Sequence, residues 1–202
     1  MSQIALPLVS ASGRRARIVI GPANKRVAEA LAAPQTWPFR TAVLTGPPRS
    51  GKTLFAQHFA ASGRGEAIDD ARALPETELF HRWNRAQESG VPLLLVGGEP
   101  PWNIALPDLR SRLGAALQLE IGRPADAMAA DLVLAMAEQR DLPLGPDAAD
   151  YLVARAPRSF AGLERLVSEI DRLSLERMAP ATHSVWRAAL EAVLGPEEPR
   201  LL

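Results

Sequence analysis

The chain contains no cysteine, which excludes disulfides, thiolate-built zinc sites and thiol nucleophiles. Lysine is nearly absent as well: Lys+Arg number 23, and of these only Lys25 and Lys52 are lysines. Together with abundant Ala and Pro, this bias reads as drift toward GC-rich codons, and it makes each surviving lysine a position to explain. An excess of charge of either sign is missing too. The formal net charge is +0 at pH 7, with no basic tail or stripe, which argues against a protein whose main task is gripping a DNA backbone, because that binding needs clustered cations. No apolar run approaches the roughly 20 residues of a bilayer span. The longest, near Val91–Gly98, reads as a buried strand.

With 47% hydrophobic and 23% charged residues, the chain has a globular balance, and 202 residues suffice for one large domain or a medium domain with a small companion. Residues 1–28 carry no acid and include Arg14, Arg15 and Arg17, as transit peptides do. Pro7, however, breaks an early helix, and the apolar residues precede the arginines, the reverse of a secretory signal. A cytoplasmic protein is expected.

Residues 1–16 show no periodicity and read as an extended arm. Ile18-Val19-Ile20 is a short apolar piece that turns through Gly21-Pro22 into a helix over Lys25–Ala32. TAVLTG (41–46) is a buried strand, and the segment after it a loop and a helix with Leu54, Phe55 and Phe59 on one face. A short apolar stub ends in Asp69-Asp70. Glu76–Ser89 reads as a helix, VPLLLVG (91–97) as the clearest strand, LPDLRSRLG as a short helix, and ALQLEI (116–121) as a closing strand. Beyond Gly122 only helical patterns follow: Asp126–Gln139, Asp147–Arg155, Ser159–Arg177 and Thr182–Leu194. Strand–helix alternation implies a parallel sheet. The expected layout is an arm (1–16), an α/β nucleotide-binding domain (17–122) and a helical lid (123–202).

Gly46-Pro47-Pro48-Arg49-Ser50-Gly51-Lys52-Thr53 fits G-x-x-x-x-G-K-[ST] at every position, between a predicted strand and a predicted helix. Glycines let backbone N–H groups curl around phosphate oxygens, and the helix N-terminus adds its positive end. Lys52 reaches the outer phosphates, and the Thr53 hydroxyl can hold Mg2+. Leu54 completes the expected nucleotide segment. Asp69, ending the next strand, belongs beside Thr53 and the metal. The loop establishes a nucleotide but no reaction, because kinases, motors and switches share it.

A sheet followed by about four lid helices fits the AAA+ ATPases. In Leu109-Arg110-Ser111-Arg112-Leu113 two arginines sit on a short helix of the kind that, in those proteins, sends an arginine into a neighbour's nucleotide site. Arg158 opens a lid helix from which it could fold onto its own phosphates. RIVIGPANKRVAEAL, LPDLRSRL and PRSFAGLERLV together resemble the DnaA/Hda branch of the AAA+ proteins, over roughly residues 16 to 195. The resemblance implies that Ile18, Val19 and Ile20 lie against adenine, that Arg112 is the finger acting in trans, and that Arg158 is the sensor of the lid.

Within that branch the chain is most similar to the Hda group. It stops after the lid, so the initiator's DNA-binding domain is expected to be absent and no specific DNA contact is expected. Its arm begins Gln3-Ile4-Ala5-Leu6-Pro7-Leu8, like the Q-x-x-L-P-L peptide by which that group binds the polymerase sliding clamp. Gln3 would hydrogen-bond a pocket rim, Leu6 and Leu8 would fill an apolar pocket, and Pro7 limits the entropy lost on docking. The resemblance implies a regulator of replication initiation that carries ADP or ATP with Mg2+, partners clamp and DnaA, and stimulates ATP hydrolysis by DnaA. A homo-oligomer is compatible with this reading, and a membrane partner is not expected.

The sequence also departs from the family. Lys52 and Asp69 are so close that the first helix uses most of the interval, which leaves no room for the family's second strand and its helix. In the family order 5-1-4-3-2 that strand is an edge, so its loss predicts a contiguous 5-1-4-3 sheet whose new edge is the polar stub GEAIDDA. Asp70 occupies the slot where active relatives usually carry Glu, and the polar sensor of the following strand falls at Gly97-Gly98 and is missing. Nucleotide binding with weak or no intrinsic ATPase is expected. The rival readings are a nucleotide-dependent AAA+ adaptor or loader and a small P-loop kinase.

Overall fold

The structure, a computed structural model, describes residues 5–9 and 15–195. Two strands come first, β1 (Ala5–Val9) and β2 (Arg15–Val19). Then follow α1 (Lys25–Ala32), β3 (Thr41–Thr45), α2 (Lys52–Ala61), β4 (Glu66–Ile68), α3 (Glu76–Ser89), β5 (Leu93–Gly98), α4 (Pro107–Ala115) and β6 (Leu117–Glu120). Four helices follow among the described residues: α5 (Asp126–Glu138), α6 (Pro146–Val153), α7 (Phe160–Glu176) and α8 (His183–Leu194). By internal contacts Pro22–Gly122 form one unit, and the described residues up to Gly21 and from Arg123 onward form another.

In the first unit the sheet is parallel, in the order β4-β5-β3-β6. This is the contiguous 5-1-4-3 order expected after loss of an edge strand. Burial follows position in the sheet. The central strands β3 and β5 are buried almost throughout, whereas β4 is half-exposed along its length and β6 buries only Leu119. Strands covered on both faces read as continuous apolar runs, and edge strands need not. On one face Val43, Leu93 and Leu95 pack with Leu79 and Ala86 of α3 and Leu109 and Leu113 of α4. Residues of the opposite parity, Ala42, Leu44, Leu94 and Val96, are buried as well, and α2 contributes the buried Phe55 and Phe59 and contacts β4 and β5. Trp37 stacks on Phe59 with ring centres 5.2 Å apart. Gly65 lets β4 approach this far: a Cβ there would lie 2.4 Å from the Pro92 carbonyl oxygen and 2.6 Å from the Phe59 ring.

The placement of α4 is set by Glu76, the first residue of α3. Its carboxylate accepts from the backbone N–H groups of Ala105 (2.8 Å) and Leu106 (2.6 Å), immediately ahead of the helix. Pro107 then begins α4 with its φ already helical and no N–H to satisfy.

In the second unit β1 and β2 form an antiparallel ladder with Leu6 opposite Ile18, Pro7 opposite Arg17 and Leu8 opposite Ala16. The arm expected to be extended is therefore paired through its backbone over residues 5–9. Aperiodic side chains did not signal this, because a ladder needs only main-chain donors and acceptors. Helices α5 to α8 enclose a core of Val133, Leu152, Leu163, Leu166, Ile170 and Leu190. Ser159 caps α7, its Oγ accepting from the Gly162 N–H at 3.0 Å. β2 contacts α5, and Gly21 lies so close to α5 that a Cβ would fall 2.9 Å from Met128 Cγ. No helix among the described residues is long and apolar enough to cross a membrane.

Candidate nucleotide site

The phosphate loop joins the C-terminal end of β3 to α2. It leaves the sheet at Gly46, whose N–H donates to the Gly98 carbonyl of β5 at 2.8 Å. Gly46 has φ +152°, and a Cβ would lie 3.0 Å from Ile121, so both backbone and space demand glycine. The loop then curls through positive φ at Arg49 (63°) and Gly51 (88°), and α2 starts at Lys52. This is the geometry that turns successive N–H groups inward to make an anion-binding concavity at a helix N-terminus.

The residues present fit a phosphate group. Lys52 Nζ donates to the loop's own carbonyls, Gly46 and Pro47, at 2.8 Å each. Burial holds its pKa below the ordinary lysine value; the carboxylates of Glu99 and Asp69 oppose that shift, and the Arg72 guanidinium adds to it. Ser50 is buried, and its Oγ has no hydrogen-bond partner among the described residues. Such an orphaned hydroxyl is costly unless a ligand completes it.

Thr53 is exposed on the first turn of α2, and Leu54 beside it is half-buried. Asp69 directly follows β4 and accepts from the Asp70 N–H at 3.1 Å. Asp70 takes the left-handed conformation (φ 48°) and turns the chain into a short 3-10 turn at Ala71–Ala73. Among the described residues no group of three or more His, Cys, Asp or Glu could hold a metal by itself. A hard divalent cation would therefore need phosphate oxygens among its ligands, which is the usual way Mg2+ is held beside one or two carboxylates.

Two residues of this site were not anticipated. Glu99 directly follows β5, and its carboxylate acts on Lys52 more strongly than that of Asp69 does. Arg72 donates to the main-chain oxygens of Glu99 and Pro101, the latter at 3.0 Å, and lies over the Trp102 ring. The available signal was positional: ligands of open α/β sheets bind outside the carboxyl ends of the strands, and Glu99 is the first side chain beyond Gly97-Gly98.

The two arginines of α4 have different surroundings. Leu109 and Leu113 face the core, and Arg112, half-buried, lies against α3. Its guanidinium is 4.3 Å from the centre of the Phe80 ring and 4.6 Å from that of Trp83, and it donates to Asn84 Oδ1 at 2.7 Å. Arg110 is exposed and has no side-chain partner among the described residues. It lines a cleft of about 540 Å³ with Arg26, Trp102 and Gln118.

The remaining expected residues lie in the other unit. Ile18 is buried, Val19 and Ile20 are half-buried, and Arg158 is exposed, 3.4 Å from the Asp126 carboxylate. Leu6, Pro7 and Leu8 lie in β1, and Gln3 lies outside the described residues.

No family model matches the chain. Among solved structures it is similar to domain III of the Thermotoga maritima replication initiation protein DnaA, with TM-score 0.70 and 16% identity over 88% of this chain and 95% of that one. It is also similar to a point variant of T. maritima RuvB, with TM-score 0.60 and 20% identity over 86% and 70% of the two chains. A replication initiator DnaA bound to AMPPCP and single-stranded DNA gives TM-score 0.60 and 16% identity over 79% and 65%. The chain thus has the fold of AAA+ P-loop ATPase domains, as a four-stranded parallel sheet with a helical C-terminal part.

Proposed function

We propose that this protein binds ADP or ATP with Mg2+ and regulates replication initiation: held on the polymerase sliding clamp by Gln3, Leu6, Pro7 and Leu8, it stimulates ATP hydrolysis by DnaA. The observation that carries the reading is the phosphate loop, whose glycine geometry, helix start and half-buried Lys52 make an anion cradle on a fold like that of DnaA domain III. In this reading Gly46 to Leu54 embrace the phosphates, Thr53 and Asp69 serve the metal, Ile18, Val19 and Ile20 meet adenine, and Arg158 acts from the lid.

An arginine of α4 completes the partner's site and stabilises charge on its terminal phosphate. Arg112 holds the place of the finger in the resemblance. Its stacking on Phe80 and Trp83 either presents it rigidly or keeps it from leaving, whereas Arg110 is exposed on the same helix. Clamp docking of residues 3–8 in extended form would compete with the β1–β2 ladder. With Asp70 turned into a 3-10 turn, hydrolysis by the protein alone is expected to be slower than about 1 per second, below common enzymatic rates.

The test is phosphate release from ATP-bound DnaA mixed with this protein, clamp and DNA, with Arg112→Ala, Arg110→Ala and Gln3→Ala run in parallel. Release should rise with the wild type, depend on clamp and fall in Gln3→Ala. No rise, or an equal rise without clamp, defeats the regulator reading.

A further inference from the structure

We propose that the cleft between α4 and the edge strand β6 binds an acidic peptide segment of a partner protein, with carboxylates on Arg26 and Arg110 and an apolar side chain beside Trp102. None of the residues that line this cleft belongs to the phosphate loop. In the β3–β6 ladder Val43 stands opposite Gln118, and Thr45 opposite Glu120. Residues paired across a ladder share a face of the sheet. Val43 packs with Leu109 and Leu113 of α4, so Gln118 and Glu120 lie on the face that α4 covers. The helix stops short of them: both are exposed, whereas Val43 and Leu113 are buried. The space left between is a cleft of about 540 Å³, of the size of ordinary ligand sites.

Trp102 lines the cleft from the loop after β5. Its indole is held in place. It lies against Gly97, where a Cβ would fall 2.6 Å from the ring, and the Arg72 guanidinium sits over it at 5.8 Å. An aromatic ring fixed in this way offers apolar contact without an ordering cost at the moment of binding.

Arg26 of α1 and Arg110 of α4, far apart in the chain, line the same cleft. Both are exposed, and neither makes an ion pair or a side-chain hydrogen bond among the described residues. Two such guanidiniums in one concavity suit an anion with paired oxygens, a carboxylate or a phosphate. Glu120 in the same cleft, and a formal net charge of +0, count against a nucleic-acid backbone, which needs clustered cations. A peptide uses the whole set. Gln118 commits its amide N–H groups to the Leu113 and Ala116 carbonyls, at 2.7 and 3.1 Å. Its Oε1 is left to accept a main-chain N–H, which a peptide supplies and a phosphate does not.

The test is fluorescence anisotropy of a labelled heptapeptide alternating glutamate and leucine, and of its glutamine-for-glutamate counterpart, titrated with the full chain. Thermal melts show that each variant is folded. The glutamate peptide should bind and the glutamine peptide should not. Arg26→Ala and Arg110→Ala should each weaken binding about tenfold, the loss of one charge-assisted contact. Arg110→Lys should recover part of this, and Glu120→Gln should tighten binding several-fold because a repelling carboxylate is gone. Arg85→Glu, exposed on α3 and outside the cleft, should leave the affinity unchanged. The indole N–H resonance of Trp102 should shift during the titration, and that of Trp186 should not. Equal binding of the two peptides, an equal loss in Arg85→Glu, or no binding up to about 1 mM, the weak end of the affinity scale, overturns the proposal. Arg110-dependent binding of inorganic phosphate or a short oligothymidylate, with the glutamate peptide unbound, overturns it in favour of a phosphate ligand.

Discussion

The Arg112 guanidinium lies over the Trp83 ring, 4.6 Å from its centre, and fastens α4 to α3. Phe80 offers a second ring and Asn84 a hydrogen-bond acceptor. Arg112→Ala should therefore cost about 1–3 kcal/mol in urea unfolding, through lost cation–π contact and hydrogen bonding. Arg112→Lys should recover only part of this, since an ammonium cannot stack as a planar fork does. Arg110→Ala should stay within about 0.5 kcal/mol of wild type. Equal stability of the Arg110 and Arg112 variants would show that the stacking contributes nothing.

Glu76 is the second fastening of α4. Glu76→Ala removes a charged acceptor from the Ala105 and Leu106 N–H groups, and a loss of about 1.5–3 kcal/mol is expected. Gln should retain part of it, because one amide oxygen still accepts. Chemical unfolding of the two variants separates these outcomes.

Gly65→Ala places a methyl group against the Pro92 carbonyl and the Phe59 ring. The short edge strand β4 must then shift, at a cost of about 1–3 kcal/mol for overpacking. The same substitution at Gly63, where a Cβ meets nothing within 4 Å, controls for local backbone effects at a position that itself has positive φ. Hydrogen exchange of the Glu66–Ile68 amides should quicken in Gly65→Ala only.

Lys52→Ala tests the phosphate loop directly. Saturating ADP at 100 times Kd should stabilise the wild type by about 2.7 kcal/mol through mass action. The variant should show no such rise in melting temperature while its melting without nucleotide stays close to wild type. A full ADP response in Lys52→Ala would remove Lys52 from the site.

Much of the fold was legible because its signals are local. The apolar runs of β3 and β5, the helical spacing in α3 and α7, and the G-x-x-x-x-G-K-T pattern each point to one element within a few residues. The missing edge strand was legible from length alone, because the residues between Lys52 and Asp69 cannot hold a helix, a strand and another helix. The β1–β2 pairing was not legible, because antiparallel ladders join backbones and residues 5–9 carry no alternation to announce one. Glu99 was overlooked for another reason: the expectation looked for a neutral polar side chain inside the strand, whereas the carboxylate comes just after it.

By itself the sequence determined the phosphate loop, the order of the elements, and the division between a parallel sheet and a helical region. Those follow from glycine positions, hydrophobic period and segment length, all properties of residues near one another in the chain. The tertiary structure decided which charges meet. It brought Glu99 and Asp69 to Lys52 from neighbouring strands, turned Asp70 into a 3-10 turn, and placed Arg112 on the rings of α3 while leaving Arg110 exposed. Those relations join residues distant in sequence or hinge on a single backbone turn, and only strand register and helix packing settle them.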